Sequence, residues 1–112
     1  MITYEWDCSN VEYYFNYDNE SDVVYNVNWR LTATSSDVDP DGNNYSAFMT
    51  DEKLLDISDL SNFIPFNQLT NEIVTGWVED AYGSTVVQEY KDMLDQQINE
   101  QQNPQSAWGK VS

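Results

Sequence analysis

The chain has no histidine, one cysteine and only four basic residues among its 112 positions. Each scarcity closes off a class of chemistry. Without histidine there is no Ser-His-Asp or Cys-His catalytic machinery and no imidazole metal site. A lone Cys8 cannot form an internal disulfide, a CxxC redox pair or a cysteine-based zinc centre. Four cations fall short of the roughly 6–10 phosphate contacts that duplex binding typically uses. No apolar run approaches the ~20 residues of a membrane span. No charged-then-apolar leader opens the chain, so the expectation is a soluble protein made and kept inside a cell, or carried by something assembled there.

What is abundant is acid and aromatic rings. Asp and Glu number 20, giving a formal net charge of −16, while 4 Trp, 8 Tyr and 4 Phe bring aromatics to 14%. Net charge of this size opposes collapse, but rings supply a large apolar area per residue, and here they alternate with polar residues. The sequence therefore reads as one folded domain with an acidic surface.

The first half carries period-two patterning. Tyr25, Val27, Trp29, Leu31 and Ala33 alternate with Asn26, Asn28, Arg30 and Thr32, which marks a strand with one buried face. Ile2, Tyr4, Trp6 and Cys8 alternate in the same way, as do Val11, Tyr13, Phe15 and Tyr17. Asp18 to Asp22 is turn chemistry. Tyr45, Ala47 and Met49 predict a fourth strand, and Leu55 and Ile57 a fifth. The second half shifts to helical spacing. Thr70 caps a helix with the apolar stripe Ile73, Val74, Trp77, Val78, Ala81 and Tyr82, ended by Gly83. A second helix opens on a Thr85–Gln88 capping box and has the narrower stripe Val87, Tyr90, Leu94 and Ile98, closed by Pro104.

The expected architecture is α+β: a small antiparallel sheet of about four to five strands followed by a C-terminal two-helix hairpin. A single domain over 1–103 holds strands within 1–58 and helices within 69–102, with 104–112 as a tail. The first helix covers one sheet face. The other face, with Tyr14, Asn16, Asn26, Asn28 and Arg30, is expected to be wet.

Several residue groups suggest function, and each has a plainer explanation. Asp37, Asp39 and Asp41 before Gly42 match the opening of a calcium loop. Position twelve, however, is Phe48 rather than a bidentate Glu, and an acidic turn between strands explains the same residues. The adjacent pairs Asp51–Glu52 and Glu79–Asp80 point apart on a regular element, whereas two-carboxylate catalysis needs convergence in a cleft. Cys8 shares the apolar phase of its strand and reads as a buried thiol. Trp108, in a polar tail, either folds back on the domain or anchors a partner. The charge itself suggests a DNA mimic steering onto a host DNA-binding protein. Yet the acids are scattered along the chain, with no run longer than two.

Phe63-Ile64-Pro65-Phe66, then Leu69-Thr70-Asn71-Glu72-Ile73-Val74-Thr75-Gly76-Trp77-Val78, resemble a run found in a family of small uncharacterised phage proteins common in T4-like cyanophages. Leu94-Asp95, Gln97-Ile98, Asn103-Pro104 and Trp108 resemble its ending, and Thr3-Tyr4, Trp6, Val27 and Trp29 its first strands. One proline stands in the tail where relatives have several. The resemblance implies a bacteriophage origin, no known catalytic activity and no transferable site residues. The expectation is thus a non-enzymatic accessory or virion-associated protein acting through protein–protein contacts, with an acidic DNA-mimic inhibitor of a host nucleic-acid-binding protein as the alternative. No catalytic, cofactor or metal residue is assigned, and Trp108 is the one candidate for partner binding. The polar second helix and the Asn-rich sheet face are further candidate contact surfaces. Partners are other phage or host proteins, without direct nucleic-acid or membrane contact and with oligomeric state left open. The expected location is the host cytoplasm during infection, with the virion as a second one.

Overall fold

The computed structural model of the chain describes residues 1–60, 63–104, 109 and 111. Three long strands form one antiparallel sheet in the order β1–β2–β3: β1 Ile2–Tyr17, β2 Glu20–Val38 and β3 Asn44–Leu54. After a short 3-10 turn at Phe66–Gln68 come α1, Asn71–Tyr82, and α2, Ser84–Gln102. The α+β order is as expected, but the strand count among the described residues is three rather than four to five.

The difference lies in a β-bulge. Asp7 pairs with Arg30 and Asn10 with Asn28, so β1 carries one extra residue around Cys8 and Ser9. An extra residue flips the side-chain alternation. The inward set therefore changes from Ile2, Tyr4, Trp6 and Cys8 to Val11 and Tyr13 without any break in the strand. Two apolar runs of opposite phase are one strand. Leu55 and Ile57 lie beyond β3 in an irregular segment, not in a fifth strand.

A second bulge sits in β2. Glu12 pairs with Asn26 but Tyr13 with Val24, which leaves Tyr25 unpaired in register. Val24 takes the core position that the alternation assigns to Tyr25. The tight turn is narrower than the polar cluster suggests. Asp18 and Asn19, at φ 49° and 65°, connect Tyr17 to its partner Glu20. Asp and Asn tolerate this left-handed pair, and the resulting twist matches that of the flanking strands.

Both helices pack on one face of the sheet, α1 along β1 and α2 over β3 and β2. Trp6, Cys8, Val27, Trp29, Leu31, Ala33 and Ala47 meet Val74 and Val78 from α1 and Val87, Leu94 and Ile98 from α2. Trp29 is the centre of an aromatic group, with ring centroids 5.2 Å from Trp6, 5.8 Å from Tyr82 and 5.6 Å from Tyr90. Its indole N–H donates to the Tyr82 hydroxyl at 3.0 Å, which satisfies a donor that burial would otherwise strand.

Thr70 caps α1 as expected, its hydroxyl accepting from the Ile73 amide at 3.2 Å. The Thr85–Gln88 box does not form. Gly83, at φ 85° and ψ 159°, turns the chain directly from α1 into α2, so no side chain caps the second helix. Those angles are accessible to glycine and to almost nothing else.

Candidate docking site

The molecule is far from spherical. Its extents are 64 × 34 × 26 Å and its radius of gyration is 18.4 Å, against about 13 Å for a compact chain of this length. Strand and helix rises explain the shape. The 19 residues of β2 extend roughly 60 Å at ~3.3 Å each, whereas the 19 residues of α2 cover about 28 Å at 1.5 Å each. The helices cannot roof the whole sheet. The β1–β2 hairpin therefore runs on past them as an arm.

The arm is aromatic. Tyr13, Tyr14, Phe15 and Tyr17 are all exposed, Phe15 by 75%. Tyr13 packs on Phe15 at 5.9 Å and on Phe66 at 4.7 Å between centroids. Tyr14 stacks on Tyr25 at 4.2 Å and on Tyr17 at 5.8 Å. These rings hold one another in place, so the surface is ordered before any partner arrives. The periodicity assigned Tyr13, Phe15 and Tyr17 to a buried phase. All three are nonetheless exposed, even though Tyr13 packs on Phe66.

Acids surround the rings. Asp18, Glu20 and Asp22 lie at the turn end, and no residue before Arg30 is basic. Glu12 accepts from the Asn26 side-chain amide at 2.9 Å and from the Tyr25 hydroxyl at 3.2 Å. Hydrogen bonds from Asn26, Asn28 and Tyr25 hold its carboxyl below the usual range, because donors favour the charged form. Asn26 also donates to Glu52 at 3.2 Å. This bridging leaves Asn26 only 4% exposed, so the outer sheet face is drier at its centre than its composition suggests. Arg30 and Asn28 are on that face as expected, Arg30 lying 3.9 Å over the Phe48 ring. Lys53 and Lys91 likewise sit over Tyr82 and Tyr4. All three described cations rest on aromatic faces, which leaves the acids to define the outward field.

The other sequence candidates resolve as follows. Trp108 lies outside the described residues. Asp39 accepts the amides of Asp41 and Asn43, both at 2.9 Å, and so acts as the turn residue of the β2–β3 hairpin. Asp37 accepts from Gln102 at 3.1 Å. Among the described residues no three acidic, histidine or cysteine side chains gather to hold a metal ion. Asp51 and Glu52 occupy opposite phases of β3, facing Trp29 and Asn28 in register. Cys8 is fully buried, and burial pushes its thiol up, away from the reactive thiolate. The polar face of α2 is partly spent on the domain itself, since Gln101 donates to the Ser46 carbonyl at 2.8 Å and Gln102 to Asp37. No described helix is long and apolar enough to cross a membrane.

The arm is the surface that residue-level reading missed. Its signal was available in the lengths: two runs totalling more than thirty strand residues face a first helix of 12.

Residues 1–110 match the family model described as a domain of unknown function (DUF7936), and the chain belongs to that family. No curated protein and no solved structure matches it.

Proposed function

We propose that this member of the family is a non-enzymatic docking protein that engages another protein through the aromatic arm of its β1–β2 hairpin. The observation that carries this reading is the exposure of Tyr13, Tyr14, Phe15 and Tyr17 along the end of the hairpin. The rings form two exposed groups, Tyr13 with Phe15 and Phe66, and Tyr14 with Tyr17 and Tyr25, and exposed aromatic area of this kind on an acidic domain is costly unless it is covered in use. Tyr and Phe are also residue types that concentrate at the centres of interfaces. Mutual stacking lowers the ordering cost of binding, because the rings are already immobilised.

The resemblance of residues 63–78 and 94–108 to the cyanophage family supports placing the protein among phage accessory or virion-associated components. Its partner is then another phage subunit or a host protein.

Quantitative mass spectrometry of purified particles tests this, comparing wild type with a Tyr14→Ser/Phe15→Ser variant. Presence at fixed copy number, lost in the variant, supports the reading. Absence from particles together with displacement of DNA from host proteins would instead favour the acidic mimic. Incorporation unaffected by the variant rules out the arm as the docking surface.

A further inference from the structure

Beside the root of the arm, the segment after β3 folds back across the start of β2 and leaves a cavity of about 290 Å³ against α1. Val23 of β2, Leu55 of the returning segment and Trp77 of α1 contribute to its apolar wall. Asp22, Asp56, Asp59 and Asp80 line it from the same three parts of the chain. None of its described lining residues is basic. Ser58 donates its amide and hydroxyl to Asp56 at 2.9 and 2.6 Å, which fixes that carboxylate and favours its ionised form. The volume is at the lower edge of the roughly 300–1,000 Å³ of small-molecule pockets. It suits one large side chain rather than an extended cofactor.

We propose that this cavity receives an apolar side chain from a basic partner segment, while the carboxylates that line it engage Lys or Arg on either side of that anchor. The inference rests on the docking reading above and names the chemistry of the partner. Charge complementarity selects the occupant. An apolar socket ringed by acids alone rejects acidic or neutral polar segments and favours a cationic one. A second copy of the chain is disfavoured, because each copy carries −16 and brings like charge to the rim. Asp22 and Val23 follow the arm's turn on β2, so a segment lying along the arm runs into the cavity.

The test uses the full chain, isotope-labelled for solution NMR, and three short capped peptides: Lys-Lys-Leu-Lys-Lys, the same with Gln for every Lys, and the same with Ala for Leu. The first peptide is expected to give saturable shifts at the Trp77 indole and the Leu55 and Val23 methyls. The other two should bind at least about tenfold more weakly, as should the first peptide to an Asp56→Asn/Asp80→Asn variant. Ala81→Phe, which places a ring at the cavity, should abolish those shifts while the spectrum stays dispersed. Shifts spread over the whole acidic surface would overturn the proposal, as would indifference to the Leu or wild-type binding by Ala81→Phe. The two readings fail separately. If the peptide occupies the cavity but the arm variant still enters particles, the arm docking fails and the cavity assignment stands. If the peptide does not bind while the arm variant is lost from particles, the cavity assignment alone falls.

Discussion

Asn71 offers the most direct test of how this fold is held together. β1 is an edge strand, so the outward amide of Cys8 and carbonyl of Trp6 have no strand to pair with. The Asn71 side chain takes both: its Oδ1 accepts from the Cys8 N–H at 2.7 Å, and its Nδ2 donates to the Trp6 oxygen at 2.9 Å. A single side-chain amide at the start of α1 thus stands in for the peptide of a missing neighbour, and it ties the helix to the strand next to the bulge. Asn71→Ala removes both bonds. At a net 0.5–1.5 kcal/mol each, the loss is about 2 kcal/mol. With an unfolding entropy of about 2.1 cal/mol/K per residue over 112 residues, that lowers Tm by about 8 °C. Asn71→Asp keeps the acceptor and suits the helix N-terminus, but it loses the donor to Trp6, so about half the loss is expected. Urea and thermal unfolding followed by circular dichroism measure both variants. A loss under about 0.5 kcal/mol for Asn71→Ala would mean that water replaces the amide at no cost, and the edge-clamp argument would be wrong.

Two further perturbations probe the core and the pH response. Tyr82→Phe leaves the Trp29 indole N–H, on a ring only 2% exposed, without its acceptor. A loss of about 1–3 kcal/mol is expected in urea titrations, and much less in a Trp29→Phe background, where the donor is gone as well. Burial, with a 2.5 Å hydrogen bond to Asp95, pushes the Tyr4 hydroxyl up to about 12. A raised value means that Tyr4 contributes stability fully below its ordinary value of about 10, and that this is lost as pH rises through 12. Asp95→Asn should lower the Tyr4 transition in a tyrosinate absorbance titration, while burial still keeps it above 10. An unchanged titration curve would refute that assignment.

Much of this fold was legible along the chain because its causes are local. Thr70 and Gly83 bound α1 through cap chemistry that involves only their neighbours. Val87, Tyr90, Leu94 and Ile98 mark one stripe of α2 because helical spacing places them there. The same locality misled at Cys8 and Ser9. A period-two pattern that changes phase looks like two strands, and only pairing with β2 shows that one inserted residue accounts for the change. Tyr25 was assigned to the core for the same reason, since the bulge that displaces it is defined by register with Glu12 and Tyr13. Thr85 and Gln88 carried a capping signature, but the backbone angles of Gly83 start the helix before that signature can act.

The candidate site shows the same division more sharply. The sequence determined by itself the acidic surface, the aromatic supply, the α+β order and the exclusion of histidine and multi-cysteine chemistry, all of which follow from composition and spacing. It could not say which aromatics would be buried. Tyr13, Phe15 and Tyr17 have the same alternation as Trp29 and Leu31, yet the first set is exposed and the second forms the core. Tertiary structure decided this, because burial depends on what lies opposite. The helices rise 1.5 Å per residue against the strands' ~3.3 Å and end before the hairpin does. The apolar socket beside Asp22, Asp56 and Asp80 likewise exists only where three distant parts of the chain meet.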